Sequence, residues 1–176
     1  MMKNLFTLLL ILLINVSFAQ VITGKVVRVK DGDTIVILDS KNKQHTIRVA
    51  AIDCPEKSQP YGKEAKWFVS DEIYRKSVEV DVLKKDRYGR SIANIFYSGK
   101  NLSVELLKKG YAWHYKKFSK NRFFQSLEDK ARKNKKGLFK QSNPIEPWEY
   151  RRKKRKPKKE KSIIERVSSF LNELTK

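Results

Sequence analysis

Between residues 21 and 100 the chain carries five short apolar segments separated by turn-forming residues, and that pattern narrows the possible folds most. Lys25–Val29, Thr46–Val49 and Val78–Val82 alternate apolar and polar side chains, the period of strands buried on one face. Ile35–Leu38 is a short apolar run that follows an Asp-Gly-Asp turn. Ile92–Phe96 is preceded by Tyr88-Gly89-Arg90. Between the third and fourth segments, Ala65, Phe68, Val69, Glu72 and Ile73 follow helical spacing. Five short strands with a helix after the third predict a β-barrel with helices (α+β), a partly open five-stranded barrel of the OB type. Two further helices bring the total to about three. One is capped by Asn101, runs through Lys108 and stops at Gly110; the other carries Phe124, Leu127 and Ala131 and stops near Gly137. No internal repeat recurs at a fixed period.

Charge then limits the partners. With 40 Lys+Arg against 19 Asp+Glu the formal net charge is +21, which calls for a polyanion: nucleic acid, an anionic membrane surface or an acidic polysaccharide. A hydrophobic content of 40% over 176 residues supports one packed core and excludes a wholly disordered chain. A single cysteine excludes an intramolecular disulfide and any multi-cysteine metal site. His45 and His114 are too far apart for zinc-site spacing. Neither a G-x-S-x-G element nor a glycine-rich phosphate loop is present.

The two ends read differently from the middle. Lys3, the apolar run Leu5–Ile14 and the small residues Ser17 and Ala19 form a secretory signal with a cut after Ala19. The stretch to Ala19 is shorter than the ~20 residues of a spanning helix, which weighs against an uncleaved anchor, and no cysteine follows for lipidation. A secreted or periplasmic chain without a transmembrane segment, and a monomer, is expected. Arg151–Lys161 has nine basic residues and one acidic, a run that repels itself. It is expected either as a solvated linker or as an arm for anionic surfaces. Beyond it Ile163, Ile164, Val167, Phe170, Leu171 and Leu174 recur at helical spacing. The expected organisation is a signal over 1–19, a barrel domain over 20–148, a basic linker over 149–162 and an amphipathic helix over 163–176.

Four places put charged groups where core strands should be. Asp31-Gly32-Asp33-Thr34 reads first as a hairpin turn. Asp53-Cys54-Pro55-Glu56 ends the third strand, and Pro55 holds Cys54 extended between two carboxylates, with a backbone carbonyl exposed. Such oxygen ligands suit Ca²⁺, whereas a thiolate does not. Arg48 lies within the third strand, and Asp86-Arg87-Tyr88-Gly89-Arg90 forms a charged loop. Each alone is an ordinary turn, loop or surface feature. Together they supply carboxylates for a cation, arginines whose planar fork grips a phosphate, and an aromatic ring for stacking.

In order and spacing, VKDGDT, IRVAAIDCPE, YGKEAKWF, DRYGR and Gly110-Tyr111-Ala112 resemble the staphylococcal nuclease (thermonuclease) family over roughly Val21–Lys140. The resemblance implies an OB barrel and Ca²⁺-dependent cleavage of DNA and RNA that leaves 3′-phosphates. It further implies that Asp33, Asp53 and the backbone carbonyl of Cys54 hold the metal. Cys54 stands where the family typically has threonine, a change that leaves a backbone ligand intact. Arg48 and Arg90 become the phosphate-stabilising arginines, and Glu56 the residue that positions or deprotonates the attacking water. Arg87, Tyr88 and Tyr115 become substrate contacts. The Trp113-His114-Tyr115 stretch and the short loop from Glu56 to Tyr61 depart from the founding sequence. Two other classes remain beside this reading. One is a non-catalytic OB module that binds nucleic acid or another polyanion, which has no need of Asp33, Asp53, Glu56, Arg48 and Arg90 together. The other is a surface-adhesion protein driven by the basic tail.

Overall fold

The computed structural model describes the backbone of residues 20–174, so the expected signal over 1–19 lies outside the described residues. The strands are β1 (Gln20–Asp31), β2 (Thr34–Asp39), β3 (Gln44–Val49), β4 (Ile52–Asp53), β5 (Ser77–Lys85), β6 (Ser91–Tyr97), β7 (Lys100–Asn101) and β8 (Trp113–His114). The helices are α1 (Gly62–Ile73), α2 (Leu102–Lys109), α3 (Arg122–Lys133) and α4 (Pro147–Leu174), with a 3₁₀ turn at Gly137–Lys140.

All five expected strands are present, and they close completely. β1 is long enough to pair β5 through Gln20–Lys25 and β2 through Gly24–Asp31, with register shifts after Val26 and Val29 that bend it. β2 pairs β3, β5 pairs β6, and β3 runs parallel to β6 through Ile47–Val49 and Ser91–Ala93. This last pairing joins the two ends of the sheet, so the barrel is closed rather than partly open. Inward residues of alternating strands, among them Val26, Ile35, Ile37, Ile47, Val80 and Ile95, are fully buried. The helices cover the barrel with Val69 and Ile73 of α1 and Leu106 and Leu107 of α2. Asn101 caps α2 as its spacing predicts, accepting from the Val104 N–H at 3.2 Å. α3 ends at Lys133, short of Gly137.

A second, smaller core joins Trp113, Ala131, Leu138 and Phe139 with Tyr61 and Trp148. It fixes β8, whose His114 N–H donates to the buried Glu128 of α3 at 2.7 Å. Glu128 is neutralised in turn by Arg132, at 2.8 Å. Arg132 lies 4.4 Å from the ring centres of both Trp113 and Phe139. β8 pairs β4 with Asp53 opposite Trp113, so this small core sets the place of Asp53.

As far as Leu174, the expected linker over 149–162 and helix over 163–176 are one continuous helix, α4, and the last two residues lie outside the described residues. Proline suits the first helical position, and the Lys, Arg and Glu that follow are strong helix formers. Exposed like charges on a helix face water, so their repulsion does not prevent the helix. The domain boundary at 148 also moves. Trp148 belongs to the second core, and Tyr150 bonds to the Ser58 hydroxyl at 2.9 Å.

Gly32 turns β1 into β2 under tight restraint. A Cβ there would lie 2.8 Å from the Ala65 Cβ and 2.9 Å from the Cys54 Cβ. Gly32→Ala therefore forces the turn outward, and we expect a stability loss of about 1–3 kcal/mol, typical of overpacking. Urea unfolding checks this; an unchanged midpoint would contradict the packing described.

Candidate active site

A cleft of about 790 Å³ opens at one end of the barrel. Asp33, Arg48, Asp53, Cys54, Glu56, Arg87, Tyr88, Arg90 and Tyr115 all line it, so the residues singled out from sequence converge. Asp33 comes from the β1–β2 turn, Arg48 from β3 and Asp53 from β4. Ala51, with a positive φ of 64°, reverses the chain between β3 and β4 and brings Asp53 back over Arg48.

Arg48 lies between the two aspartates. Its Nη1 is 3.0 Å from Asp33 Oδ2 and its Nη2 is 2.7 Å from Asp53 Oδ1. Nη1 also donates to the carbonyls of Val49 and Ile52, both at 3.2 Å. Burial pulls the Arg48 guanidinium down, but Asp33 and Asp53 outweigh it and hold the group above its ordinary range. The charge is therefore fixed. Burial lifts the Asp53 carboxyl above the usual carboxylate range, against a bond from Arg151, and the charge of Asp33 adds to the rise. Asp31 is pushed up to about 6 by burial and then by repulsion from Asp33.

Cys54 enters the site through its backbone: its N–H donates to Asp33 Oδ2 at 2.8 Å. Burial and then the charge of Asp33 push its thiol well above the ordinary range, so the sulfur stays protonated. Glu56 is held by a tight turn. Its N–H donates to Gln59 Oε1 at 2.8 Å, and the Gln59 N–H donates back to the Glu56 carbonyl at 2.8 Å. Gly62 makes this turn possible, because a Cβ there would fall 2.1 Å from the Glu56 oxygen.

The Asp86–Arg90 loop is organised by Asp86. Its carboxylate accepts from the backbone N–H of Tyr88 and Arg90 and from Arg90 Nε, at 2.8–3.0 Å. Arg87 donates to the Tyr88 hydroxyl at 2.7 Å, and Tyr88 projects 66% exposed into the cleft. Tyr115 lines the cleft against the start of α4. One face of its ring is stacked on Trp148, 5.1 Å away and within 2° of parallel, so that face is closed to a nucleobase.

Sequence reading missed Arg151. It was assigned to a tail remote from the chemistry, yet its Nη2 lies 2.6 Å from Asp53 Oδ2 and its Nη1 lies 2.6 Å from Glu56 Oε1. A possible signal was the aromatic pair Trp148 and Tyr150 just before it, since apolar groups seldom begin a solvated linker.

Among the described residues no three Asp, Glu, His or Cys side chains converge as a metal cluster. Arginine side chains lie against the carboxylates instead. The donor set still fits a hard divalent cation. It is all oxygen, Asp33 and Asp53 are both buried, and the charge of Asp33 adds to the rise of the Asp53 carboxyl, an effect that added positive charge relieves.

Comparison with known proteins agrees with this geometry. A family model described as staphylococcal nuclease homologue matches residues 46–141, a range that stops short of Asp33 on one side and Arg151 on the other. A protein of Haemophilus influenzae named "Uncharacterized endonuclease" is 40% identical over 130 residues, covering 74% of this chain and 73% of its own. A protein of the same name from Escherichia coli O157:H7 is 37% identical over 134 residues, covering 76% and 87%. The staphylococcal-like nuclease CAN1 of Arabidopsis thaliana is 42% identical over 113 residues, 64% of this chain but 35% of the longer plant protein. With its closed five-stranded barrel and the family match across more than half its length, the chain belongs to the staphylococcal nuclease family.

Proposed function

We propose that this chain is a secreted or periplasmic nuclease that hydrolyses phosphodiester bonds of DNA and RNA with Ca²⁺, leaving 3′-phosphates. Nuclease chemistry is the family's, and nucleic acid is its substrate class. One observation supports the finer reading above the rest: the fixed Arg48 guanidinium joins Asp33 and Asp53 in a cleft that Glu56 and Arg90 also line.

The chemistry follows from what each group can do. Water adds to phosphorus and the bond from phosphorus to O5′ breaks. One product keeps the phosphate on its 3′ end, and the other leaves as a 5′-hydroxyl that takes up a proton. Glu56 orients the water and accepts its proton. Arg48 and Arg90 bind the phosphate oxygens on which negative charge grows; their planar forks fit two oxygens at once. Bound at Asp33, Asp53 and the Cys54 carbonyl, Ca²⁺ supplies further neutralisation of that charge. Tyr88 and Arg87 rest against the sugar or base, and Tyr115, packed between Trp148 and Phe118, contributes to the same wall. The net charge of +21 draws the polyanion in, an effect that weakens with salt. A module that only binds strands needs the groove and the rings but not the buried Arg48–Asp53 pair, and a part in a reaction explains why a pair that is costly to bury is kept.

Purified mature protein should degrade single- and double-stranded DNA and RNA with Ca²⁺, stop on chelation, and yield 3′-phosphate ends when products are labelled with and without phosphatase. Metal-independent cleavage at equal rate would exclude the Ca²⁺ role. Arg90 is part-exposed and is held by Asp86, so its removal leaves the core intact. Arg90→Ala should lower kcat/KM by about 10²–10³ with an unchanged melting curve. Near-normal turnover would refute its assignment. Export is supported by Lys3, Leu5–Ile14 and Ala19 in the sequence. N-terminal sequencing of protein from periplasm or medium should begin at Gln20; a retained Met1 in the exported fraction would contradict cleavage.

A further inference from the structure

The contacts of Arg151 account for both oxygens of Asp53. Oδ1 accepts from Arg48 Nη2 at 2.7 Å and lies 3.3 Å from Arg151 Nη1; Oδ2 accepts from Arg151 Nη2 at 2.6 Å. The same guanidinium reaches Glu56 Oε1, so one side chain from the start of α4 spans a carboxylate assigned to the cation and the carboxylate assigned to water. A divalent ion that takes an oxygen of Asp53 meets a guanidinium already bonded there, and the two positive charges repel.

The two arginines differ in how firmly they are held. Arg48 has a side chain only 13% exposed, reaches Asp33 as well, and donates to two backbone carbonyls. Arg151 has a side chain 35% exposed and bonds to Asp53 and Glu56. Its backbone is anchored separately. Trp148 stacks on Tyr115, Tyr150 bonds to Ser58, and the Ile145 carbonyl accepts from Gln59 at 3.1 Å. The side chain can therefore swing away while the helix start stays docked.

We propose that Arg151 is the resident counter-ion of the reaction centre: it neutralises Asp53 and Glu56 until a divalent cation enters, exchanges with that cation at Asp53, and so sets the cation concentration the enzyme requires. The inference rests on the Ca²⁺-dependent nuclease reading. It assigns to a residue outside the family match a part in the chemistry that the match does not cover. Guanidinium and cation compete for the same oxygens, so removing the guanidinium removes the competition and also the repulsion it exerts on an arriving cation. The cation-free protein then holds buried carboxylates with less compensation, a state that is destabilised.

Isothermal titration of Ca²⁺ into the mature full chain tests this, together with melting curves with and without Ca²⁺. Arg151→Gln should bind Ca²⁺ at least about tenfold more tightly than wild type, because a +1 charge leaves the binding locus. Its cation-free form should melt lower, and Ca²⁺ should raise its melting temperature by more than it raises that of wild type. Arg151→Lys keeps the charge but loses the planar fork, and should fall between the two. It decides the matter if Arg151→Gln fails to fold, since Lys binding no tighter than wild type overturns the proposal. Arg155 lines the same cleft one turn along α4. Arg155→Gln removes the same charge and should stay within about threefold of wild type, because an exposed charge is screened by salt. Affinity unchanged in Arg151→Gln, or raised equally in Arg155→Gln, would overturn the exchange and leave the nuclease reading standing. Metal-independent cleavage with no Ca²⁺ binding in any variant would overturn both.

Discussion

Asp53 is a carboxylate 1% exposed, and nearly everything about the reaction centre follows from the need to compensate it. A charge so far from water is tolerated only when paired and hydrogen-bonded. The fold supplies the partners from opposite ends of the domain, Arg48 on the third strand and Arg151 on the last helix. Holding Asp53 at that point is a separate task. It falls to the short pair of β4 with β8, and through β8 to the buried Glu128 and the arginine that balances it. The barrel thus carries Arg48. The small aromatic core behind β8 carries the acid that arginine faces.

How much of this could be read from sequence depended on the range of the interactions. The five barrel strands announce themselves because each buries one face, and alternation is a local signal. Asn101 and Gly110 mark the ends of a helix for equally local reasons, a side-chain cap and a residue free to adopt a left-handed turn. Asp33, Arg48, Asp53, Glu56 and Arg90 are legible as a set because together they supply carboxylates and arginines that no single turn or loop needs, and their spacing resembles a known family. Closure of the barrel was not legible. It depends on a parallel pairing between Ile47–Val49 and Ser91–Ala93, and no local period encodes which distant edge a strand will meet.

Arg151 escaped for the complementary reason. It stands first in a run of like charge, and composition assigns the whole run one behaviour. Arg152–Arg155 behave as composition says and are exposed, whereas Arg151 is turned inward by the anchoring of Trp148 and Tyr150. The same segment reaches Tyr115, whose ring stacks on Trp148, a contact between distant residues that no local pattern encodes. The bulk charge of the chain and its selective chemistry are thus not divided at residue 148. Arg151 of the basic run bonds to both Asp53 and Glu56, and Arg155 lines the same cleft.

In the proposed reaction centre Asp33 and Asp53 would hold a cation, with Arg151 yielding its place on Asp53. The most direct measurement is the position of Ca²⁺ in crystals of the mature protein grown with the ion, located by its anomalous scattering. We expect a peak between Asp33 and Asp53, with the Arg151 guanidinium no longer on Asp53 Oδ2. A peak elsewhere on the molecule, or none while Arg151 still bridges Asp53 and Glu56, would contradict the account.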